Sequence, residues 1–309
     1  MIVVFGSINV DLTARVEQFP QPGETIAGLS FAIAPGGKGA NQALAARRAG
    51  SEVAMTGAVG TDAFVATALS ALRAAGIDID GVRHVDGSTG IAMIVVDARG
   101  ENSIVVVPGA NGNAAAADLS DAALHPGATL VLQLEVPLAE VATAAHRARA
   151  RGARVVLNAA PAMALPATLL SAIDVLIVNE HEGAALATEH ALLSAPESFA
   201  VAMRQRFGCA VVVTLGAGGA LAAVHDGHVL VAAAPAVDVV DTTGAGDALV
   251  GALTAALDRN ASWPRALAEG VAAGSLACGA AGAQAALPAA ESIARLAGSV
   301  EATIVEHFR

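Results

Sequence analysis

The sequence predicts an α/β fold: a three-layer α/β/α sandwich around a mainly parallel sheet, carrying a small extra β-sheet. Three observations lead there. Short runs of Val, Ile and Leu are apolar at every position, so each strand is covered on both faces. Ala-rich segments long enough for crossover helices lie between most of these runs. Two regions in the first third break the alternation and carry β-formers without helices.

In chain order, residues 2–5 form the first strand. Residues 42–49 read as helix, 53–57 as strand and 64–75 as helix. A strand at 129–134 precedes a helix at 138–151. Further strands fall at 155–158, 175–178 and 210–214. The final third reads as mostly helical, at 247–258, 263–280 and 291–297. The irregular regions are 12–35 and 89–107. Within them, 25–34 and 90–97 are expected to pair with 103–107 as antiparallel strands. They are read as one β appendage inserted into a single domain of residues 1–309, placed to act as a lid.

Composition bounds the function. The chain is 55% hydrophobic, 3% aromatic and 15% charged, with a mean hydropathy of +0.60. Those values suggest a membrane protein, but no stretch fits a span. The longest run without a charge, residues 270–290, is mostly Ala and Gly with a Gln and a Pro. Alanine makes up about a quarter of the chain. A net charge of −11 without a Lys/Arg run excludes a nucleic-acid backbone as partner. It leaves room for a small phosphorylated ligand. Cys209 and Cys278, each in an apolar stretch, are read as reduced core thiols of a cytoplasmic protein. His225 and His228 flank an Asp-Gly turn and read as solvated loop residues.

Several nucleotide motifs fail by residue. A Walker A loop ending at Gly37-Lys38 would need Gly at Ala32 and Ser or Thr at Gly39. A dinucleotide fingerprint from Gly244 would need Gly at Leu249, and one from Gly216 would need it at Leu221. The sharpest segment is Asp241-Thr-Thr-Gly-Ala-Gly-Asp247, between a strand-like run and a helix. Small residues at 244–246 let backbone N–H groups converge at a helix N-terminus, where an anion is favoured. Asp247 there is either an ordinary first-turn acid or a base beside an anion cradle, the pairing that phosphoryl transfer to a hydroxyl needs. Gly36-Gly-Lys-Gly-Ala-Asn41 is a second cradle or a flexible turn. Asn9 and Asp11, two apart near the end of the first strand, point the same way. They suit a polyol, or an Asx turn.

Taken together these segments resemble the ribokinase-like carbohydrate kinases, the phosphofructokinase-B superfamily. One signature runs from Gly36 to Ala43, then Gly50 and Gly60; the other is Asp241 to Ala248. Weaker motifs lie between them in family order, including Gln133-Leu-Glu135, Asn158-Ala-Ala-Pro161 and Asn179-Glu-His-Glu182.

The resemblance implies transfer of the γ-phosphoryl group of ATP to a sugar's primary hydroxyl, ribose 5-OH first of all. Asp247 would be the general base, with the amides of Gly244, Ala245 and Gly246 as anion hole. Asn9, Asp11, Gly37, Lys38, Asn41 and Glu135, together with Asp247, would hold the sugar. Asn179 and Glu182 would help place Mg²⁺, largely through water. Thr214, Gly216, Gly219 and Gly246 would line the nucleotide, with Val271 near the adenine. Asp241 and the Thr243 carbonyl would bind K⁺, with Ala277, Ala280, Gly282 and Ala286 of a late loop. Relatives often dimerise through the lid.

Val271 stands where the family usually carries His or Asn, Ala280 where it carries a basic residue, and Ala286 where it carries a hydroxyl. Other acceptors weighed are a nucleoside, 2-deoxyribose or a fructose-type sugar. The scarcity of aromatics disfavours a nucleoside. A non-catalytic sugar-binding regulator is disfavoured by an intact Asp247.

Overall fold

The computed structural model describes residues 1–225 and 228–306. Its strands are β1 (Ile2–Phe5), β2 (Asn9–Arg15), β3 (Ser30–Gly36), β4 (Val53–Val59), β5 (Asp78–His84), β6 (Gly90–Val96) and β7 (Asn102–Val107). They continue as β8 (Thr129–Leu132), β9 (Arg154–Asn158), β10 (Val175–Asn179), β11 (Ala210–Thr214), β12 (Ala220–His225), β13 (His228–Ala232) and β14 (Ala302–Glu306). The helices are α1 (Lys38–Arg48), α2 (Val65–Ala68), α3 (Ser70–Ala74), α4 (Leu138–Ala150) and α5 (Ala167–Leu170). Then follow α6 (Glu180–Glu189), α7 (Pro196–Phe207), α8 (Ala245–Asp258), α9 (Trp263–Ala277) and α10 (Ala290–Ala297).

Ten strands form one sheet in the order β14-β13-β12-β11-β10-β9-β8-β1-β4-β5. From β5 to β11 every pairing is parallel. β1 and β8 are buried at all four positions, as unbroken apolar runs require. One face packs against α1, α8, α9 and α10. The other packs against α4, α5, α6 and α7. Two cores on opposite faces make the three layers expected. Among the described residues no helix is long and apolar enough to cross a membrane.

The alanines set how closely layers approach. At the α1–α8 crossing, a Cβ built on Gly251 would lie 2.4 Å from the Cβ of Ala45 and 2.7 Å from the nitrogen of Ala46. A side chain at 251 would push the two helices apart. Asp247 lies one turn before Gly251, and Asn41 and Gln42 lie one turn before Ala45 and Ala46, so the same close crossing brings those three polar residues together.

Several expectations need correction. The sheet's far edge is antiparallel: β11–β12, β12–β13 and β13–β14 pair in that sense, so three unread strands accompany the helices of the last third. The edge strand β5 also went unforeseen. The helix at 38–48 begins at Lys38, directly after Gly37, and the one expected at 64–75 is two short helices meeting at Leu69. The helix expected to run to 280 ends at Ala277. His225 and His228 are not loop residues; they pair as the last rungs of β12 and β13. The turn between them lies outside the described residues.

The appendage is a separate four-stranded sheet, β3-β2-β6-β7. It starts at Asn9, and β3 pairs with β2 rather than with β7. β6 and β7 are antiparallel as expected, while β2 and β6 are parallel.

Candidate active site

Ligand sites in open α/β sheets lie beyond the carboxyl ends of the strands. Here those ends supply Ser7 and Asn9 after β1, Gln133 and Glu135 after β8, Asn158 on β9, Asn179 on β10 and Thr214 on β11. The two glycine-bearing signatures close over them as the N-termini of α1 and α8.

Gly244 caps α8 in the left-handed conformation, φ 80°, and turns the chain so that the first amides of the helix face outward. The Ala245 amide donates to the Thr242 carbonyl at 3.2 Å. The amides of Gly244, Gly246 and Asp247 have no acceptor among the described residues. The open donors at this helix end are therefore 244, 246 and 247, an anion-binding nest.

Asp247 is buried, 7% exposed. Its Oδ2 accepts from Asn41 Nδ2 at 2.9 Å and its Oδ1 from Gln42 Nε2 at 2.8 Å. Burial raises its pKa above the ordinary carboxylate value; Lys38 and the two amide bonds work against that rise.

Acidic groups crowd beside it. Ser7 donates its hydroxyl proton to Glu135 Oε2 at 2.6 Å, and the Lys38 amide donates to the same oxygen at 3.1 Å. Asp11 is pushed up to about 6 by burial and by its neighbours Glu135 and Asp247. Burial disfavours the Lys38 ammonium, but Asp247, Glu135, Glu182 and Asp11 outweigh it and hold the pKa above the ordinary lysine value. Asn9 Oδ1 accepts from Asn111 Nδ2 at 2.6 Å, so what Asn9 has left to offer a ligand is its NH₂. Asn41 Oδ1 accepts from Gln284 Nε2 at 3.0 Å. Carboxylates and amides converging on one point match a polyol, whose neighbouring hydroxyls both donate and accept.

On the other side of the α8 N-terminus lies an apolar cavity of about 510 Å³, a size typical of small-molecule sites. Its walls include Thr214, Gly216, Gly219, Ala245, Gly246 and Val271. Ser275 and Cys278 add polar atoms to a mainly Ala, Val and Gly lining. The cavity therefore meets the anion nest at residues 245–246, next to Asp247.

Asn179 and Glu182 form a complete capping box on α6, each side chain taking the other's backbone N–H at 2.8 Å. Glu182 Oε1 stays clear of that cap. Burial raises the Glu182 pKa against the Asn179 amide and Lys38. Asp241 Oδ1 accepts from the amide and the hydroxyl of Thr243, and Oδ2 from the Gly282 amide. Burial alone would raise the Asp241 pKa, but the Gly282 and Thr243 bonds hold it below the usual range. The Val240 and Asp241 amides both donate to the Cys278 carbonyl, and the Ala286 amide to that of Gly282. The loops around 241–243 and 277–286 are thus joined. Ala280 is exposed and takes part in none of these bonds.

Sequence reasoning assigned no role to Ser7, Gln42, Asn111, Gln133, Asn158 or Gln284. Gln42, Gln133 and Asn158 stand inside the quoted motifs, which was the available signal. Their partners are remote in the chain, which hid their function.

A buried carboxylate at a helix end, with open backbone amides and a nucleotide-sized cavity on one side and converging groups that match a polyol on the other, is the arrangement of a small-molecule kinase. The chain belongs to the pfkB family of carbohydrate kinases, whose model matches residues 1–290. It is 40% identical to a ribokinase of Schizosaccharomyces pombe over 267 residues, 82% of this chain and 84% of that one. It is 37% identical to the ribokinase of Haemophilus influenzae over 295 residues, 93% of this chain and 95% of that one. The Arabidopsis thaliana ribokinase complexed with ribose and ATP superposes with a TM-score of 0.86 at 31% identity, covering 96% of this chain and 98% of that one.

Proposed function

We infer that this ATP-dependent sugar kinase transfers the γ-phosphoryl group of ATP to the 5-hydroxyl of D-ribose. The observation that carries the reading is the position of Asp247: buried, oriented by two amides, and adjoining the open N–H groups at 244 and 246. In this reading Asp247 accepts the hydroxyl proton as the sugar oxygen bonds to phosphorus. The amides of the α8 N-terminus then stabilise the charge on the transferred group. Asn9, Asp11, Lys38, Asn41 and Glu135, with the Gly37 turn, orient the sugar. Thr214, Gly216, Gly219, Gly246 and Val271 contact the nucleotide. The small sheet serves as a lid that excludes water.

The test is ADP release at fixed ATP across pentoses, 2-deoxyribose, fructose-type hexoses and nucleosides. Ribose is expected to give the highest kcat/KM. A nucleoside as best acceptor, or ADP release indifferent to acceptor, overturns the reading.

Mg²⁺ neutralises phosphate charge when bound. Among the described residues no three His, Cys, Asp or Glu side chains cluster to hold a metal ion. The free oxygen of Glu182 fits a role mostly through water. A monovalent cation bound at the joined loops would hold the α8 N-terminus in place. Asp241 and the Thr243, Ala277, Ala280, Gly282 and Ala286 carbonyls would be the oxygen donors there. K⁺ is expected to raise kcat over tetramethylammonium; equal rates refute the assignment.

The lid exposes Phe31, Ile33, Met93 and Val105. The strand registers place Ile33, Leu12, Met93 and Val105 in one row, with Phe31 on the same face. Covering them in a homodimer removes this apolar surface from water; a monomeric mass by light scattering at micromolar concentration would exclude it. The unpaired thiols Cys209 and Cys278 support a cytoplasmic setting.

A further inference from the structure

A chain of buried amides converges on Asp247 from two directions. On one side Gln133 Nε2 donates to Gln42 Oε1 at 2.8 Å, and Gln42 Nε2 donates to Asp247 Oδ1 at 2.8 Å. On the other, Gln284 Nε2 donates to Asn41 Oδ1 at 3.0 Å, and Asn41 Nδ2 donates to Asp247 Oδ2 at 2.9 Å. Gln42 Nε2 is shared with Asn158 Oδ1 at 2.9 Å, and Asn158 Nδ2 is tied to the Ile177 carbonyl at 3.2 Å. All six side chains are buried.

The direction of every bond follows from one fact: an ionised carboxylate only accepts. Gln42 and Asn41 must turn their NH₂ groups to Asp247, which leaves their carbonyl oxygens for Gln133 and Gln284. A flip of either inner amide would set an oxygen against a carboxylate oxygen and leave an outer NH₂ without its acceptor. The outer ends show that this polarity has a cost. Gln133 Oε1 and Gln284 Oε1 are buried with no hydrogen-bond partner among the described residues. Apolar side chains of similar size would fill the same space without two unpaired acceptors.

We propose that Gln133 and Gln284, acting through Gln42 and Asn41, are positioning residues that hold the Asp247 carboxylate in one plane and favour its ionised form. The proposal rests on reading Asp247 as the base. Asn41 occupies one direction on Oδ2 and Gln42 one direction on Oδ1, which leaves a lone pair on each oxygen to take the sugar hydroxyl in this reading. The charged groups facing Asp247 are Lys38 on α1, Glu135 after β8, Glu182 on α6 and Asp11 on β2. Three of these are carboxylates like Asp247 itself, so Lys38 alone opposes the combined effect of burial and like charge. Neutral donors from the amides add stabilisation of the anion without a further charge.

Gln133→Met keeps the side chain's length and removes the donor to Gln42, without touching Asp247. The acid limb of kcat, read at saturating ribose and ATP, is expected to move up by about half to one pH unit, so that kcat at a fixed pH on that limb falls about three- to tenfold. The ribose KM is expected to stay within about twofold, since no sugar contact is altered. An unmoved acid limb in a folded Gln133→Met protein overturns the proposal, because a purely structural glutamine changes melting temperature without changing the titration. Gln284→Met reads the second arm by the same profile and serves where Gln133→Met does not fold. Asp247→Asn separates the two ideas. If that protein still turns over, the base assignment fails and takes the relay with it; if it is inactive while both Met variants keep the parental profile, only the relay fails.

Discussion

Replacing Asp247 with Asn is expected to lower kcat by about 10²–10⁴-fold, the usual contribution of a positioned general base. The change is nearly isosteric, so the α1–α8 crossing is preserved. Two consequences follow from the bonds at this residue. The side chain loses the ability to take a proton from the sugar hydroxyl. It also gains an NH₂ that must face Asn41 Nδ2 or Gln42 Nε2, both of which are donors. The second effect costs stability on the order of 1–3 kcal/mol, the penalty for a buried polar group left unpaired. Ribose affinity is expected to change far less than kcat, because Asp11, Glu135, Lys38 and Asn9 remain. Turnover is read by coupled ADP release and ribose affinity by calorimetry. Near-normal kcat would remove Asp247 from the role of base.

Gly244→Ala is the second large effect. At φ 80° the backbone sits where an L-residue costs about 1–2 kcal/mol. The new Cβ would also lie 2.9 Å from the Cα and 3.0 Å from the carbonyl oxygen of Ala283, both backbone atoms that cannot rotate away. Either the α8 N-terminus or the 282–286 loop must shift. Both belong to the proposed site, since the amides of 246 and 247 start from this turn and Asp241 is bonded to Gly282. A loss of about 10²–10³ in kcat is expected, comparable to removing one donor from an oxyanion hole. The ATP KM is expected to rise as well, because Ala245 and Gly246 line the cavity. Unchanged kcat in this variant would show that the nest does not stabilise the transferred group.

Much of this architecture is legible in the sequence. β1 is apolar throughout and β8, β9, β10 and β11 each hold an unbroken run of three or four apolar residues, and such runs separated by Ala-rich helices form a parallel sheet. The antiparallel edge was not legible. β12 reads Ala-Leu-Ala-Ala-Val-His, a composition as suited to a helix as to a strand. β14 returns to pair with β13 only after three helices, and no local pattern announces so distant a partner. The appendage reads as β structure, but its strand order does not, because its pairings join segments about 80 residues apart, as with Asn9 and Gly90.

The sequence by itself determined the layered α/β class, the two glycine-bearing helix starts, and Asp247 as the acid at one of them. Those features are local: burial period, turn chemistry and helix capping act over a few residues. Tertiary structure alone decided how Asp247 is held. Asn41 and Gln42 lie more than 200 positions from it, and Gln133 and Gln284 reach it only through them. What brings them together is the close crossing at Ala45, Ala46 and Gly251, where small residues let two helices approach until their polar ends touch. A buried carboxylate needs donors to stay ionised, and here a helix crossing that the linear order of residues does not display supplies them.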